Sequence, residues 1–460
     1  MTGPNSSTAA AQSVVEAEAE ADTVGPHSGP SGTPPARGLG RLLGGEVLFA
    51  NAAALVVNTG AVSVLGFLFW VIAARYHAPA AVGAASALIS MLLLLTAIAQ
   101  VDLAHVLARF LPVAGRRAGR LVLSSYGIAA TLAAVVSIVV LIPLQARATW
   151  FPEGDHQILL LTATVIAVCI FDLQDGALIG LRAALWIPVE NVTIGVIRVA
   201  LVTVMGALVI REGIFVAWML PMVVSIVPVN LLLVRPLLSR HAATTTSDTT
   251  SFSVRTIARF TAGDYVGDLL SMGVRYVMPL LITAQLGVEA NGYFYVTWLI
   301  GLTFDGALLA VGASLTAEGA HDPGRLAELA RGLARRITLI GLPVIALIIA
   351  AAPALLTMVG GAYATEATGL LRLLALAFVP RALILLWASI ARVERRVSRI
   401  VAMQGALAAS TIGLSLALIG RLGITGAGWA YLVSQTVVAA ALLPSMAFLF
   451  RPRRRDAGHR

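Results

Sequence analysis

The sequence predicts an all-α polytopic membrane protein. About twelve transmembrane helices form two parallel-repeat six-helix bundles around a central cavity, with both termini cytoplasmic. Three observations lead there. Of the 460 residues 58% are hydrophobic and 12% charged, with a mean hydropathy of +0.89, whereas a soluble chain carries about 25% charged residues. The apolar residues gather in runs of about 20, the length that spans a bilayer. The segments between runs alternate between arginine-rich and arginine-poor, as the positive-inside rule requires. This excludes a soluble enzyme, a nucleic-acid-binding domain and a secreted disulfide scaffold. The net charge of +9 comes from arginine alone, because the chain has no lysine. A P-loop, a pyridoxal Schiff base and a Ser-Lys dyad are therefore excluded too. Cys169, the single cysteine, can make neither an internal disulfide nor a cysteine-based metal site.

Residues 1–45 read as a cytoplasmic tail. Glu16, Glu18, Glu20 and Asp22 precede a Gly/Pro/Ser stretch ending at Pro34-Pro35, too polar to bury a core and therefore expected to be disordered. No basic start precedes an apolar run with a small-residue cleavage site, so a signal peptide is not expected. The expected spans are 49–74, 80–102, 121–145, 157–181, 186–210, 213–234, 262–286, 292–316, 333–351, 368–391, 398–420 and 425–450. They divide the chain into an N-terminal bundle (46–234), a polar linker (235–261) containing His241 to Ser253, a C-terminal bundle (262–450) and a basic tail (451–460). With the N-terminus inside, 24 arginines fall in cytoplasmic segments and four (Arg75, Arg147, Arg211, Arg421) in outer loops. The longest outer loops, about 146–156 and 352–367, are too short for an extracytoplasmic catalytic domain.

The halves repeat. Ala74-Arg-Tyr-His-Ala-Pro-Ala-Ala-Val-Gly83 leaves span one much as Thr283-Ala-Gln-Leu-Gly-Val-Glu-Ala-Asn-Gly292 leaves span seven, so Gly83 and Gly292 correspond. Arg211-Glu-Gly-Ile-Phe-Val-Ala-Trp218 echoes Arg421-Leu-Gly-Ile-Thr-Gly-Ala-Gly-Trp429. Six spans per half make the repeats parallel, with the substrate path at their interface.

Charges inside spans mark the candidate site, since each costs about 2.5–3.5 kcal/mol at mid-bilayer. Asp264, Asp268, Ser271 and Arg275 are spaced 4, 3 and 4 apart in span seven, one stripe along a helix. Its alternative reading is an Asp268–Arg275 or interhelical ion pair that only locks packing. Tyr295, Trp298, Leu302 and Asp305 share a face of span eight, where an aromatic ring and a carboxylate can hold a sugar; an aromatic belt is the plainer reading of the rings. Arg198, near mid-depth in span five, either lines the cavity or is neutralised by Glu190 or a span-four Asp. Arg381 follows Pro380, which should kink span ten. Asp172-Leu-Gln-Asp175 has the D-x-x-D form of a Mg²⁺-diphosphate site, with partnering of Arg198 or Arg182 as the plainer duty. His105 beside Asp102 reads as interfacial.

The six-plus-six architecture, the polar linker and the Leu286-Gly-x-x-x-x-Gly-Tyr293 turn resemble the polysaccharide flippases of the multidrug/oligosaccharidyl-lipid/polysaccharide exporter superfamily over residues 45–450. The first-half turn departs from this pattern, lacking the acid that Glu289 supplies. Lipid II flippases resemble the chain less, because they usually carry two further helices. The resemblance implies a non-enzymatic plasma-membrane transporter that flips an undecaprenyl-diphosphate-linked oligosaccharide from inner to outer leaflet, for cell-surface polysaccharide biosynthesis, by alternating access. Its partners would be that lipid-linked glycan, membrane lipids and a polysaccharide polymerase or glycosyltransferases; no nucleic acid and no cofactor are expected. The substrate-binding candidates are Arg275, Arg198, Arg381, Asp268, Asp305 and Trp298, arginine being the residue whose planar fork matches phosphate. The candidates for cation coupling are Asp264, Asp268 and Asp305. Two rivals are a cation-coupled multidrug antiporter, which in this superfamily often uses an acid in span one (here Asn51 and Asn58 stand without a carboxylate), and a Mg²⁺-dependent membrane transferase using Asp172 and Asp175.

Overall fold

The expected spans fall on helices. The computed structural model describes residues 60–148, 150–151, 154–210, 212–244 and 254–446. Both tails, the start of span one with Asn51 and Asn58, and the side chain of Asp264 lie outside the described residues. Among these residues fourteen α-helices follow in order: α1 Gly60–Tyr76, α2 Pro79–Gln100, α3 Leu103–Phe110, α4 Ala118–Gln145, α5 Asp155–Gly180, α6 Trp186–Ala207, α7 Gly213–Val229, α8 Arg235–Thr244, α9 Val254–Leu286, α10 Val288–His321, α11 Leu326–Thr357, α12 Gly361–Val393, α13 Val397–Leu422 and α14 Ile424–Leu442. Among the described residues ten helices are long and apolar enough to cross a membrane, which makes this a multi-pass membrane protein. Of the other expected spans, the first is described only from Gly60, as the shorter apolar helix α1, and the eighth lies within α10.

Local sequence sets the boundaries. Pro79 occupies the first turn of α2, where a missing amide costs nothing. One glycine separates α9 from α10 and another separates α13 from α14: Gly287 (φ 88°) and Gly423 (φ 62°) both stand in the positive-φ region that only glycine enters freely. The closely spaced spans at 398–420 and 425–450 are thereby two helices with a one-residue turn.

Two expectations change. The stretch read as an outer loop at 352–367 is mostly helical, leaving only 358–360 between α11 and α12. Parts of the stretch read as linker are also helical: α8 continues from α7 through a π-helical turn at Asn230–Val234, and α9 begins at Val254.

Helix α4 turns a narrow, mostly small-residue face inward. On α4 the buried residues are Ala118, Val122, Ser125, Ala129, Ala133, Ser137 and Leu141, one stripe at helical spacing. Large apolar residues such as Leu123, Val139, Ile340 and Leu347 stand exposed on other faces, as lipid demands and water does not. Helices α1 to α7 pack among themselves, as do α9 to α14. The seam between the two groups is made chiefly by α2 against α9 and α10. Trp70 of α1 joins it with a ring contact to Tyr295 of α10 at 4.7 Å.

Candidate functional site

The first cluster is built on two helices with the same spacing. Trp298, Gly301, Leu302 and Asp305 on α10, and Leu374, Ala377, Phe378 and Arg381 on α12, each follow i, i+3, i+4, i+7, so each set is one helix face. The faces meet around a cavity of about 20 Å³, room for about one water, which Tyr431 of α14 completes. Arg381 Nε donates to Asp305 Oδ1 at 3.2 Å, and the Tyr431 hydroxyl donates to Asp305 Oδ2 at 3.5 Å. Trp298 is 3% exposed, stacked on Phe294 at 5.5 Å and edge-on to Tyr431 at 5.2 Å. It forms a fixed wall rather than an open sugar platform.

Arg275 lies half-buried on α9. It falls eleven residues before the helix ends at Leu286, about 16 Å along the axis at 1.5 Å per residue. It is within electrostatic reach of Tyr276, of Tyr295 on α10 and of Tyr431 on α14. Tyr295 in turn lies beside Ser90 of α2. Arg275 therefore sits by the seam, near the group that also holds Asp305. Among the described residues it belongs to no ion pair, so the Asp268–Arg275 lock is not formed. Asp268 and Ser271 are exposed on the same helix.

Arg198 is placed elsewhere. It is buried in the N-terminal half, its Nε donating to the Trp218 carbonyl at 2.8 Å and Nη2 to Met222 Sδ at 3.6 Å, with the guanidinium 4.3 Å above the Trp218 ring. It lines a second cavity of about 20 Å³ with Asn191, Phe69 and Gly195. Asp172 is the acid within its electrostatic reach, but Asp172 Oδ2 accepts from Gln100 at 2.7 Å. Glu190, the other expected neutraliser, takes the Ser225 hydroxyl at 3.3 Å. Asp175 is buried with Oδ1 unbonded among the described residues. No group of three His, Cys, Asp or Glu among the described residues could hold a metal ion. His105 pairs with Asp102.

The structure thus brings Arg275, Arg381, Asp305 and Trp298 to one region and leaves Arg198 outside it. Sequence reasoning missed Tyr431. The repeat held a signal for it: two residues beyond the matched tryptophans, the first half has Leu220 and the second Tyr431. The matched tryptophans also diverge, Trp218 being buried under Arg198 and Trp429 exposed.

No known family profile and no curated protein matches the chain. Solved structures do match in shape. An inward-facing multidrug resistance MATE family transporter of the MOP superfamily aligns with a TM-score of 0.60 and 15% identity, over 84% of this chain and 94% of that one. A MOP superfamily transporter from Pyrococcus furiosus, described as having a binding pocket of reversed polarity, gives 0.59 and 15%, over 87% and 96%. The lipid II flippase MurJ in an inward closed conformation gives 0.66 and 10%, over 85% and 87%. The chain therefore has the MOP-superfamily fold. The backbone of the lipid II flippase aligns at least as well as those of the multidrug transporters.

Proposed function

We propose that this protein is a membrane transporter that flips a lipid-linked oligosaccharide carried on an anionic diphosphate. One observation carries the reading: the groups gathered about Tyr431 comprise two arginines, Arg275 and Arg381, and one carboxylate, Asp305. About Tyr431 the arginines outnumber the carboxylates by one, and Arg275 stands outside any described ion pair. A buried arginine keeps its charge and offers a planar donor fork that fits phosphate oxygens. A site for cationic drugs needs the opposite excess, and α1, the described part of span one, carries no carboxylate. The MOP-superfamily fold, shared with a lipid II flippase, supports the transporter class. In this reading the substrate is undecaprenyl-diphosphate-linked and is delivered to the outer leaflet of the plasma membrane for surface polysaccharide assembly, where a polymerase or glycosyltransferases take it on.

The test is a deletion strain complemented with wild type or with Arg275→Ala. Pile-up of a lipid-linked glycan on the cytoplasmic leaflet, rescued by wild type and not by the variant at equal protein level, is the expected outcome. Intact surface glycan together with broad sensitivity to cationic dyes would assign the protein to drug export instead.

A further inference from the structure

The α2–α10 crossing is self-complementary at the backbone level. Gly83 of α2 lies against the carbonyl of Val288, and Gly292 of α10 against the carbonyl of Pro79. A side-chain carbon at either glycine would overlap that oxygen. The register follows the repeat: Gly292 is 209 residues after Gly83, and Val288 is 209 after Pro79. Each half thus contributes one glycine and one carbonyl at equivalent positions, the arrangement of an isologous interface between two copies. Close approach through small residues is how membrane helices associate tightly.

One polar group breaks this symmetry. Asn291 is fully buried, and its Nδ2 donates to the Gly83 carbonyl at 2.8 Å and to Ser86 Oγ at 3.0 Å, while its Oδ1 has no partner among the described residues. Its repeat equivalent is Val82, which has no amide to offer. A second tie crosses between the halves at the same end of the bundle, where Arg75 Nε and Nη2 donate to the Met358 carbonyl at 3.1 and 2.8 Å. This is the arginine-poor end, which the positive-inside rule places outside. At the other end the seam has a tie of a different kind: the Tyr265 hydroxyl donates at 2.8 Å to the carbonyl of Ile98, in the last turn of α2, where carbonyls lose their helical partners.

Asn291 also extends the candidate-site stripe. Asn291, Tyr295, Trp298, Leu302 and Asp305 are spaced 4, 3, 4 and 3 apart, one face of α10. That face runs from the glycine crossing, past the Tyr295–Ser90 contact, to the Arg381 pair.

We propose that the Gly83–Gly292 crossing is the outer gate of the transport path and that Asn291 is its latch, holding the two halves closed until the substrate site drives α10 away from α2. The gate rests on the transporter reading above. Opening the outer side requires α2 and α10 to part, which breaks both Asn291 bonds; nothing in the first half replaces them, so the latch belongs to α10 alone.

The experiment reads gate opening without assuming a substrate. Cys169 is replaced by Ser, and a cysteine is placed behind the crossing by Ser90→Cys, a buried position of nearly unchanged size. Right-side-out membrane vesicles are treated with a membrane-impermeant maleimide, and the labelling rate is followed. That rate is proportional to the population of the outward-open state even when this state is rare. Asn291→Val, which copies the first-half residue, removes two hydrogen bonds, each worth about 1 kcal/mol net. It should raise the labelling rate about tenfold or more. Gly83→Ala, which cannot sit against Val288, should raise it further; if that variant does not reach the membrane, Asn291→Val decides alone. An unchanged rate in Asn291→Val overturns the latch, and slow labelling in a folded Gly83→Ala protein overturns the gate. A raised labelling rate combined with normal glycan export by Arg275→Ala would leave the gate standing and reject the substrate reading.

Discussion

The Asp305–Arg381 pair joins α10 to α12 across 76 residues of sequence, and its removal has a calculable effect. Their side chains are 13% and 21% exposed, so the pair is largely withdrawn from water and the small value of surface ion pairs does not apply. Stripping one partner from a fully buried pair costs about 3–5 kcal/mol. Two features lower that figure here. The contact is a single Nε bond at 3.2 Å rather than a bidentate fork, and a small cavity lets water reach the stranded group. Asp305→Ala should therefore destabilise by about 2–3 kcal/mol. Asp305→Asn, which keeps an acceptor oxygen, should cost less, and Tyr431→Phe, which loses only a 3.5 Å bond, under about 0.5 kcal/mol. Interhelical hydrogen bonds in membranes show coupling up to about 1.7 kcal/mol, so a double-mutant cycle with Arg381→Ala should give about 1–2 kcal/mol. The assay is denaturant unfolding of the purified protein in one fixed detergent, all four proteins in parallel. Coupling indistinguishable from zero would show that the two side chains do not depend on each other and would remove the pair from the site.

Arg275→Ala should abolish glycan export while leaving unfolding stability within about 1 kcal/mol of wild type, because the guanidinium has no described ion-pair partner to strand; export per protein molecule checks this. Arg198→Met should behave in the opposite way. It loses the bond to the Trp218 carbonyl and the stack on that ring, so stability should fall by about 2–3 kcal/mol, with export per folded molecule retained, as seen by normalising export to folded protein. Trp298→Ala should cost about 3–5 kcal/mol through the void left between Phe294 and Tyr431, and Trp298→Phe much less, in the same unfolding assay.

The spans, the repeat and the faces of individual helices were legible in the sequence because they depend on local periodicity. Gly83 and Gly292 could be matched from sequence alone, and the stripe from Tyr295 to Asp305 is one face of α10. Partner choice was less legible. The sequence offered Asp268 or a partner on another helix for Arg275, one helix face being all that spacing reveals, while the ion pair formed in this region joins Asp305 to Arg381 of another helix. The break after α2 was also hidden. Val101 and Asp102 both adopt positive φ, 45° and 60°, with neither glycine nor proline to announce it. Such strain at non-glycine residues persists only where tertiary structure holds it. The Gln100–Asp172 bond on one side and the Tyr265–Ile98 bond on the other are what hold the end of α2.

Where the two halves agree and where they differ separates architecture from chemistry. The glycines and carbonyls of the α2–α10 crossing are matched residue for residue, because both halves must approach at one point and neither can do so around a side chain. The groups proposed to act are not matched. Asn291 faces the memory of its repeat as Val82, Tyr431 as Leu220, and the buried Trp218 answers to an exposed Trp429. A duplicated bundle with identical inner faces would bind its ligand equally from both halves and would close with two latches. Here the latch and the Asp305–Arg381–Tyr431 group all stand in the second half, while Arg198 is tied up inside the first. Locally favourable repeats are broken where a site needs something other than stability. The C-terminal half should therefore carry both recognition and gating, with the N-terminal half serving as the wall against which it opens.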